Sequence, residues 1–328
     1  MLENTMLFSL SANEELANKI SEILGVPLSE RIIYKFPSGE RLIEPVPTVR
    51  GKRIFIIQST CPPVNDNLMD ALIFTDACRR ASAGEINFVV PYFGYSRQDR
   101  KAKPRQPITS ALVAKLIDAA GVDRVITVNL HAAQEQGFFS CLVDDLTAVP
   151  LLAQYLYESG KDMSEGIIVS PDHGGVNRAR DLAEPFNAPI AIIDKRRNSN
   201  LQPECMNIIG DVAGKNCYMV DDMIDTGKSA CIGARALRDA GAKSVSILAI
   251  HPVFSDPCYD LLKEGVFDEV VVTDSIPLPQ RFRELPFIKV ITLSGLLSET
   301  IQRVVDNKPL SESSYALFNG KLRFTTRQ

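Results

Sequence analysis

Tyr218-Met219-Val220-Asp221-Asp222-Met223-Ile224-Asp225-Thr226-Gly227-Lys228-Ser229 is an apolar run that meets two adjacent carboxylates, then a Thr-Gly turn, then a helix-forming segment. Strand, turn and helix in that order are the repeating unit of parallel α/β sheets. A phosphate monoester is held by backbone N–H groups converging at a helix N-terminus, and small residues such as Gly227 let it approach. Thr226 and Ser229 add hydroxyl donors. Asp221 and Asp222 at the strand end are placed to accept hydrogen bonds from two neighbouring sugar hydroxyls, and charge-assisted bonds are the stronger kind. The competing assignment makes Asp225 a helix cap and leaves Asp221 and Asp222 solvated. Gly227-Lys228-Ser229 imitates the end of a Walker A loop, but that motif requires a glycine where Asp222 stands. No GxGxxG follows a predicted strand, so a dinucleotide fingerprint is absent.

Outward from this stretch the same alternation continues. Short β-branched runs are expected as strands at Arg53–Gln58, Ile86–Val90, Val125–Asn129, Ile167–Ser170, Ile190–Ile193, Cys217–Val220, Val245–Ile250 and Val270–Thr273. Their unbroken apolar character predicts burial on both faces. A first helix is expected after Asn13 as cap, with Leu16, Ile20, Ile23 and Leu24 on one face and Gly25 as its stop. Further helices are expected at Asp66–Ala83 and Ser229–Ala240. The fold class is therefore α/β, and a chain of 328 residues is long enough for two domains. The boundary is expected near Asp144-Asp145 and Pro150, giving domains over 1–147 and 148–328, with a polar surface tail from 305 onward.

Composition narrows the function. A hydrophobic fraction of 45% and a charged fraction of 23% are those of a globular protein. With 36 basic against 40 acidic residues, non-specific nucleic-acid binding is not expected. No apolar run approaches the roughly 20 residues that span a bilayer, and the N-terminal residues lack a signal-peptide pattern, so no membrane partner is expected. Seven scattered cysteines without a CxxC pair argue against zinc or a disulfide framework and suit a reducing, cytoplasmic setting.

Four more segments fix a resemblance. They are Pro63-Val64-Asn65-Asp66-Asn67-Leu68-Met69, Pro91 to Lys101 (PYFGYSRQDRK), Asn129-Leu130-His131-Ala132 and Ser170 to Ala179 (SPDHGGVNRA). The Asp221–Ser229 segment alone resembles the ribose-phosphate signature of the phosphoribosyltransferase superfold, which leaves open consumers and makers of phosphoribosyl diphosphate. All five motifs, in order along nearly the whole chain, resemble the ribose-phosphate diphosphokinase family, with its phosphate-regulated class as the expected branch. Two phosphoribosyltransferase-like domains, each with a mostly parallel sheet flanked by helices, are what this implies.

The resemblance implies that the β,γ-diphosphate of ATP passes to ribose 5-phosphate, with AMP released, supplying nucleotide, histidine and tryptophan synthesis. Asp221, Asp222, Asp225, Thr226, Gly227, Lys228 and Ser229 are then the sugar-phosphate site, and His131 and Asp172 are Mg2+ ligands. Adenine is expected between Phe36 and Arg97, with Ser38, Glu40 and Gln98 nearby. Lys195 and Arg197, in a cationic loop after the strand Ile190–Ile193, are expected to stabilise the transition state as a lid does. Arg178 is equally plausible as a helix-surface charge. Arg97–Arg105 holds five cations, which by itself reads as a solvated loop; the resemblance implies a regulatory phosphate site through Arg50, Lys103 and Arg105, with phosphate and ADP as effectors. The active site is expected at the domain junction, in a homohexamer built from dimers.

Three residues depart from the family pattern. Asn129 stands where an aspartate is usual, Glu135 replaces an apolar residue, and Lys228 replaces a small one. A phosphoribosyltransferase and a non-catalytic homologue remain the rival classes.

Overall fold

The computed structural model describes residues 2–196 and 205–313. By Cα packing the chain divides into two compact units, one made of Met1–Thr147, Ser275–Pro277 and Thr292–Leu310, the other containing Ala148–Asp274 and Leu278–Ile291. The expected second domain is thus not one continuous stretch in this division, because two later segments return to the first unit.

In the first unit, β1 (Thr5–Ser9) leads into α1 (Glu14–Leu24) and an antiparallel hairpin, β2 (Arg31–Lys35) and β3 (Arg41–Pro45). There follow β4 (Arg53–Ile57), α2 (Val64–Arg80), β5 (Glu85–Val90), α3 (Thr109–Ala120), β6 (Arg124–Val128) and β7 (Leu142–Leu146). The main sheet is parallel throughout, in the order β1-β4-β5-β6-β7. Ile54, Ile56, Ile86, Phe88 and Val90 pack in one core with Phe74 and Cys78 of α2 and Val113 and Ile117 of α3. The intervening Phe55, Ile57 and Val89 are equally buried. Both faces are therefore covered, which explains the unbroken apolar runs. The helix Ser294–Val305 lies against α1.

The expected asparagine cap of α1 is not made. Asn13 occupies the cap position with φ 63°, without a side-chain cap bond. Its Nδ2 donates instead to the Ser275 carbonyl at 3.1 Å. That contact comes from a residue 262 positions away, which no local pattern reveals.

The second unit contains α4 (Val149–Glu158), β8 (Gly166–Ser170), α5 (Val176–Ala183), β9 (Ile190–Arg196), β10 (Cys205–Ile209) and β11 (Asn216–Ile224). It continues through α6 (Lys228–Asp239), β12 (Ser244–Pro252), α7 (Cys258–Lys263), β13 (Glu269–Thr273), α8 (Gln280–Arg283) and β14 (Ile288–Ile291). The helix Ser294–Val305 is then α9. The seven strands lie in the order β10-β9-β8-β11-β12-β13-β14, and only β10 is antiparallel to its neighbour. From β8 the chain moves outward to β9 and β10, then returns to the other side of β8 as β11. The order reverses between β8 and β11, and open α/β sheets bind ligands beyond the C-terminal strand ends at such a reversal.

Two expected boundaries are corrected here; the strand predicted to stop at Val220 runs to Ile224, so Asp221 and Asp222 lie within β11 and not past its end. The strand predicted to stop at Ile193 runs to Arg196, with Lys195 opposite Met206 of β10. Polar Asp194-Lys195-Arg196 read as a loop, but an antiparallel partner supplies the ladder that composition alone does not announce. Arg197 lies outside the described residues, as does the tail beyond 313. Among the described residues, no helix is long and apolar enough to cross a membrane.

Candidate active site

In the second unit, β8 and β11 each end in a loop that carries carboxylates. After β8 comes Pro171-Asp172-His173-Gly174-Gly175, folded on itself by short bonds. The Gly175 N–H donates to Asp172 Oδ1 at 3.0 Å, and the Ser170 hydroxyl donates to the Asp172 carbonyl at 2.7 Å. A Cβ on Gly175 would lie 2.9 Å from Ser170 Oγ, so a larger residue would displace the hydroxyl that bonds the Asp172 carbonyl. Asp172 itself is exposed.

Beyond β11, Gly227 adopts φ +76° as the N-cap of α6. A side chain there would be strained, and its Cβ would also meet Cys258 Sγ at 3.1 Å. The cap position of α6 is thus taken by a glycine, and Asp225 lies two residues before it. Asp225 and Thr226 are half-buried, whereas Lys228 and Ser229 are exposed on the first turn of α6. This leaves small, polar, backbone-rich surface where a helix begins, the chemistry that suits a phosphate.

Asp221 is half-buried, with its side chain 29% exposed. Asp222 is buried, and its N–H donates to Asp221 Oδ1 at 2.9 Å. Arg178 of α5 reaches across, with Nη1 at 3.3 Å from Asp221 Oδ1 and 3.8 Å from Asp222 Oδ1. Burial pushes the Asp221 carboxyl well above the usual carboxylate range, the adjacent Asp222 charge pushes it further, and Arg178 pulls it back. Sequence reasoning left Arg178 between site and surface; the structure puts it on the paired carboxylates. His173, which no sequence signal singled out, has Nε2 at 3.1 Å from Asp194 Oδ1. That pair ties the Asp172 loop to β9 one residue before Lys195.

In the first unit, Phe36, Ser38 and Glu40 sit at the exposed tip of the β2–β3 hairpin. The turn is closed by Phe36 N–H to the Glu40 carbonyl at 2.8 Å, and the Ser38 hydroxyl donates to Glu40 Oε2 at 2.8 Å. Phe36 is 40% exposed and touches Tyr34 edge-on, with centroids 4.8 Å apart. It is not a core residue. Arg97 and Gln98 follow β5; Arg97 is exposed, and Gln98 Oε1 accepts from the Thr109 hydroxyl at 2.5 Å. His131 is exposed just past β6, on a backbone held by polar partners described below.

The residues expected to make one regulatory cluster enter this chain from different ends. Arg50 precedes β4, and its Nη1 donates to Ser82 Oγ at 3.1 Å. Lys103 and Arg105 are exposed in the segment following the far end of β5. Because β4 and β5 are parallel, one segment lies before the N-terminal strand ends and the other follows the C-terminal ends.

Among the described residues no three His, Cys, Asp or Glu side chains gather as a metal cage. Magnesium does not require one, since it keeps several waters and takes one or two carboxylates plus substrate phosphates. The exposed Asp172 carboxylate, with one oxygen already oriented by Gly175, fits that donor set; His131 offers nitrogen, the less preferred atom.

The profile of the N-terminal domain of ribose phosphate pyrophosphokinase matches residues 5–121, and that of the phosphoribosyl synthetase-associated domain matches residues 198–318. A ribose-phosphate pyrophosphokinase of Fusobacterium nucleatum is 49% identical over 316 residues, covering 96% of this chain and 98% of that protein. Ribose-phosphate pyrophosphokinase 1 of Streptococcus agalactiae is 48% identical over 310 residues, covering 94% and 96%. The crystal structure of phosphoribosylpyrophosphate synthetase from Mycobacterium smegmatis superposes with a TM-score of 0.88 at 38% identity, covering 93% of this chain and all of that one. Identity at this level over nearly the full length of both chains leaves one conclusion: the chain belongs to the ribose-phosphate pyrophosphokinase family.

Proposed function

We propose that this enzyme transfers the β,γ-diphosphate of ATP to the anomeric hydroxyl of ribose 5-phosphate, giving 5-phosphoribosyl 1-diphosphate and AMP. The observation that carries the proposal is the pair of adjacent carboxylates on β11, followed by the glycine turn that opens α6, at the reversal between β8 and β11. The anomeric oxygen bonds to the β-phosphorus as the bridge from the β-phosphorus to the α-phosphate oxygen breaks. AMP carries away that oxygen and the pair of electrons, and the hydroxyl proton is released.

Each residue has a task in this reaction. The turn Asp225–Ser229 holds the 5-phosphate through backbone N–H groups and the Thr226 and Ser229 hydroxyls. Asp221 and Asp222 accept from the ribose hydroxyls and orient the anomeric carbon, while Arg178 partly offsets the push toward protonation. Phe36 and Arg97 stack the adenine, with Ser38, Glu40 and Gln98 beside it. Lys195 and Arg197 neutralise charge on the group in flight. Asp172 would hold Mg2+, with His131 a second candidate ligand, and the ion would supply positive charge to the reacting phosphates.

The product would supply nucleotide, histidine and tryptophan synthesis. We further propose a cytoplasmic homohexamer of dimers, activated by phosphate and inhibited by ADP. The exposed apolar side chains of the β2–β3 hairpin, Ile32, Tyr34 and Leu42 among them, support assembly. AMP release by the purified protein, measured in a coupled assay with ATP, Mg2+ and ribose 5-phosphate, tests the reaction. AMP that forms only with the sugar phosphate present is expected; none under these conditions overturns the proposal.

A further inference from the structure

Just past β6, three successive amides are held by three different side chains. The Leu130 N–H donates to Asp145 Oδ1 at 3.0 Å, the His131 N–H to Ser96 Oγ at 2.9 Å, and the Ala132 N–H to Glu135 Oε1 at 3.0 Å. Glu135 stands behind two of the three. Its Oε1 also accepts from the Ser96 hydroxyl at 2.7 Å, and its Oε2 accepts from the Ser110 hydroxyl.

The Glu135 side chain is completely buried. A carboxylate taken out of water is expensive unless donors satisfy it, and a leucine of similar size would fill the space without that penalty. What the carboxylate does that leucine cannot is tie three chain segments together: Ser96 after β5, Ser110 in the first turn of α3, and Ala132 after β6. Ser96 adjoins Arg97, and the Ser110 N–H donates to the Gln98 carbonyl at 3.3 Å. The segments that carry Arg97, Gln98 and His131 therefore share one buried anchor.

We propose that Glu135 is a positioning residue for the nucleotide half of the site, fixing through Ser96 and the Ala132 amide where His131 and Arg97 are presented. The proposal rests on the roles assigned above to those two residues. It makes a departure from the family pattern into a working part of this chain.

The test compares Glu135→Leu, Glu135→Gln and Ser96→Ala in the full-length protein. Three quantities are read: amide hydrogen exchange over 130–132, calorimetric binding of ATP with magnesium chloride, and the half-saturating concentrations of ATP, Mg2+ and ribose 5-phosphate in turnover. In Glu135→Leu, the 131 and 132 amides should lose protection, and ATP and Mg2+ requirements should rise by about tenfold or more, the usual effect of removing a group that orients a metal-binding histidine. The ribose 5-phosphate requirement should not move, because its turn lies on β11 and α6. Glu135→Gln keeps an acceptor at the Ala132 amide and should restore most of the loss. A lower melting temperature with unchanged ATP and Mg2+ requirements would make Glu135 structural only and overturn the proposal. If Glu135→Leu does not fold, Ser96→Ala carries the same test, since it removes only the hydroxyl beneath His131. Wild-type protein that releases no AMP sinks the proposed reaction, yet calorimetry with ATP and magnesium still decides whether Glu135 positions a nucleotide site.

Discussion

Arg178 on α5 and Asp221 on β11 form an ion pair at 3.3 Å although 43 residues separate them in sequence. The pairing partly offsets burial and the neighbouring Asp222 charge, which together push the Asp221 carboxyl toward protonation.

Two substitutions probe this relation. Asp222→Ala should weaken ribose 5-phosphate binding by about 1.5–3 kcal/mol, the value of a hydrogen bond to a charged group. Arg178→Met should leave the carboxyl of Asp221 still higher, because its compensating cation is gone. The acid limb of sugar-phosphate affinity against pH should then move to higher pH. Calorimetric titration across pH reads both, and an unmoved limb would return Arg178 to a surface role.

Lys195 follows Asp194 on β9, and Asp194 is the partner of His173 in the neighbouring loop. A cation that acts on charge developing during transfer influences turnover more than ground-state binding. Lys195→Ala should lose about 10²–10³ in kcat, as removal of one preorganised electrostatic contact does. ATP affinity measured by calorimetry should change little. Lys195→Arg should recover part of the loss, because guanidinium and ammonium differ in shape. Near-normal kcat with much weaker ATP binding would instead make Lys195 a ground-state clamp.

Asp172→Asn keeps the acceptor for the Gly175 N–H but removes the charge. The magnesium concentration for half-maximal rate should rise, by about ten- to a hundredfold if the carboxylate is a ligand. Turnover that persists after chelation in the wild type would remove the metal from the mechanism.

Asp145, which holds the Leu130 amide, is pushed up to about 6 by burial, with the Glu135 charge adding to the shift. The folded protein thus keeps a proton that the unfolded chain, with a carboxyl near about 3.9, gives up. The stability linked to this group is fully present below that lower value and declines as pH rises through about 6. Asp145→Asn retains an acceptor but cannot ionise. Between about pH 5 and about pH 7 it should gain on the wild type by on the order of 1 kcal/mol, read by urea unfolding at each pH. Parallel stability curves for the two proteins would refute the assignment.

How much of this was legible depends on whether the signal was local. Apolar Cys217–Val220 running into Asp221-Asp222 and Thr226-Gly227 announces strand, turn and helix within a dozen residues, and β11 and α6 lie there. The extension of β9 to Arg196 was hidden because its cause is a partner strand. Arg178 was ambiguous because its carboxylates come from another strand, and a helical arginine is usually solvated. Glu135 was recognisable as a departure, but its burial was not, since glutamate is almost never fully buried without partners and Ser96 and Ser110 are distant in sequence.

The return of Ser275–Pro277 and α9 to the first unit bears on how the chain is made. The α1 residues Leu16, Ala17 and Ile20 are buried, α9 lies against that helix, and Arg53 donates to the Val305 carbonyl at 3.1 Å. A ribosome that has finished residue 147 has therefore not yet synthesised part of the first unit's own packing. Nearly the whole polypeptide must emerge before that unit is complete, so its nascent form exposes apolar surface for most of translation, the condition under which chaperones engage and truncated products aggregate.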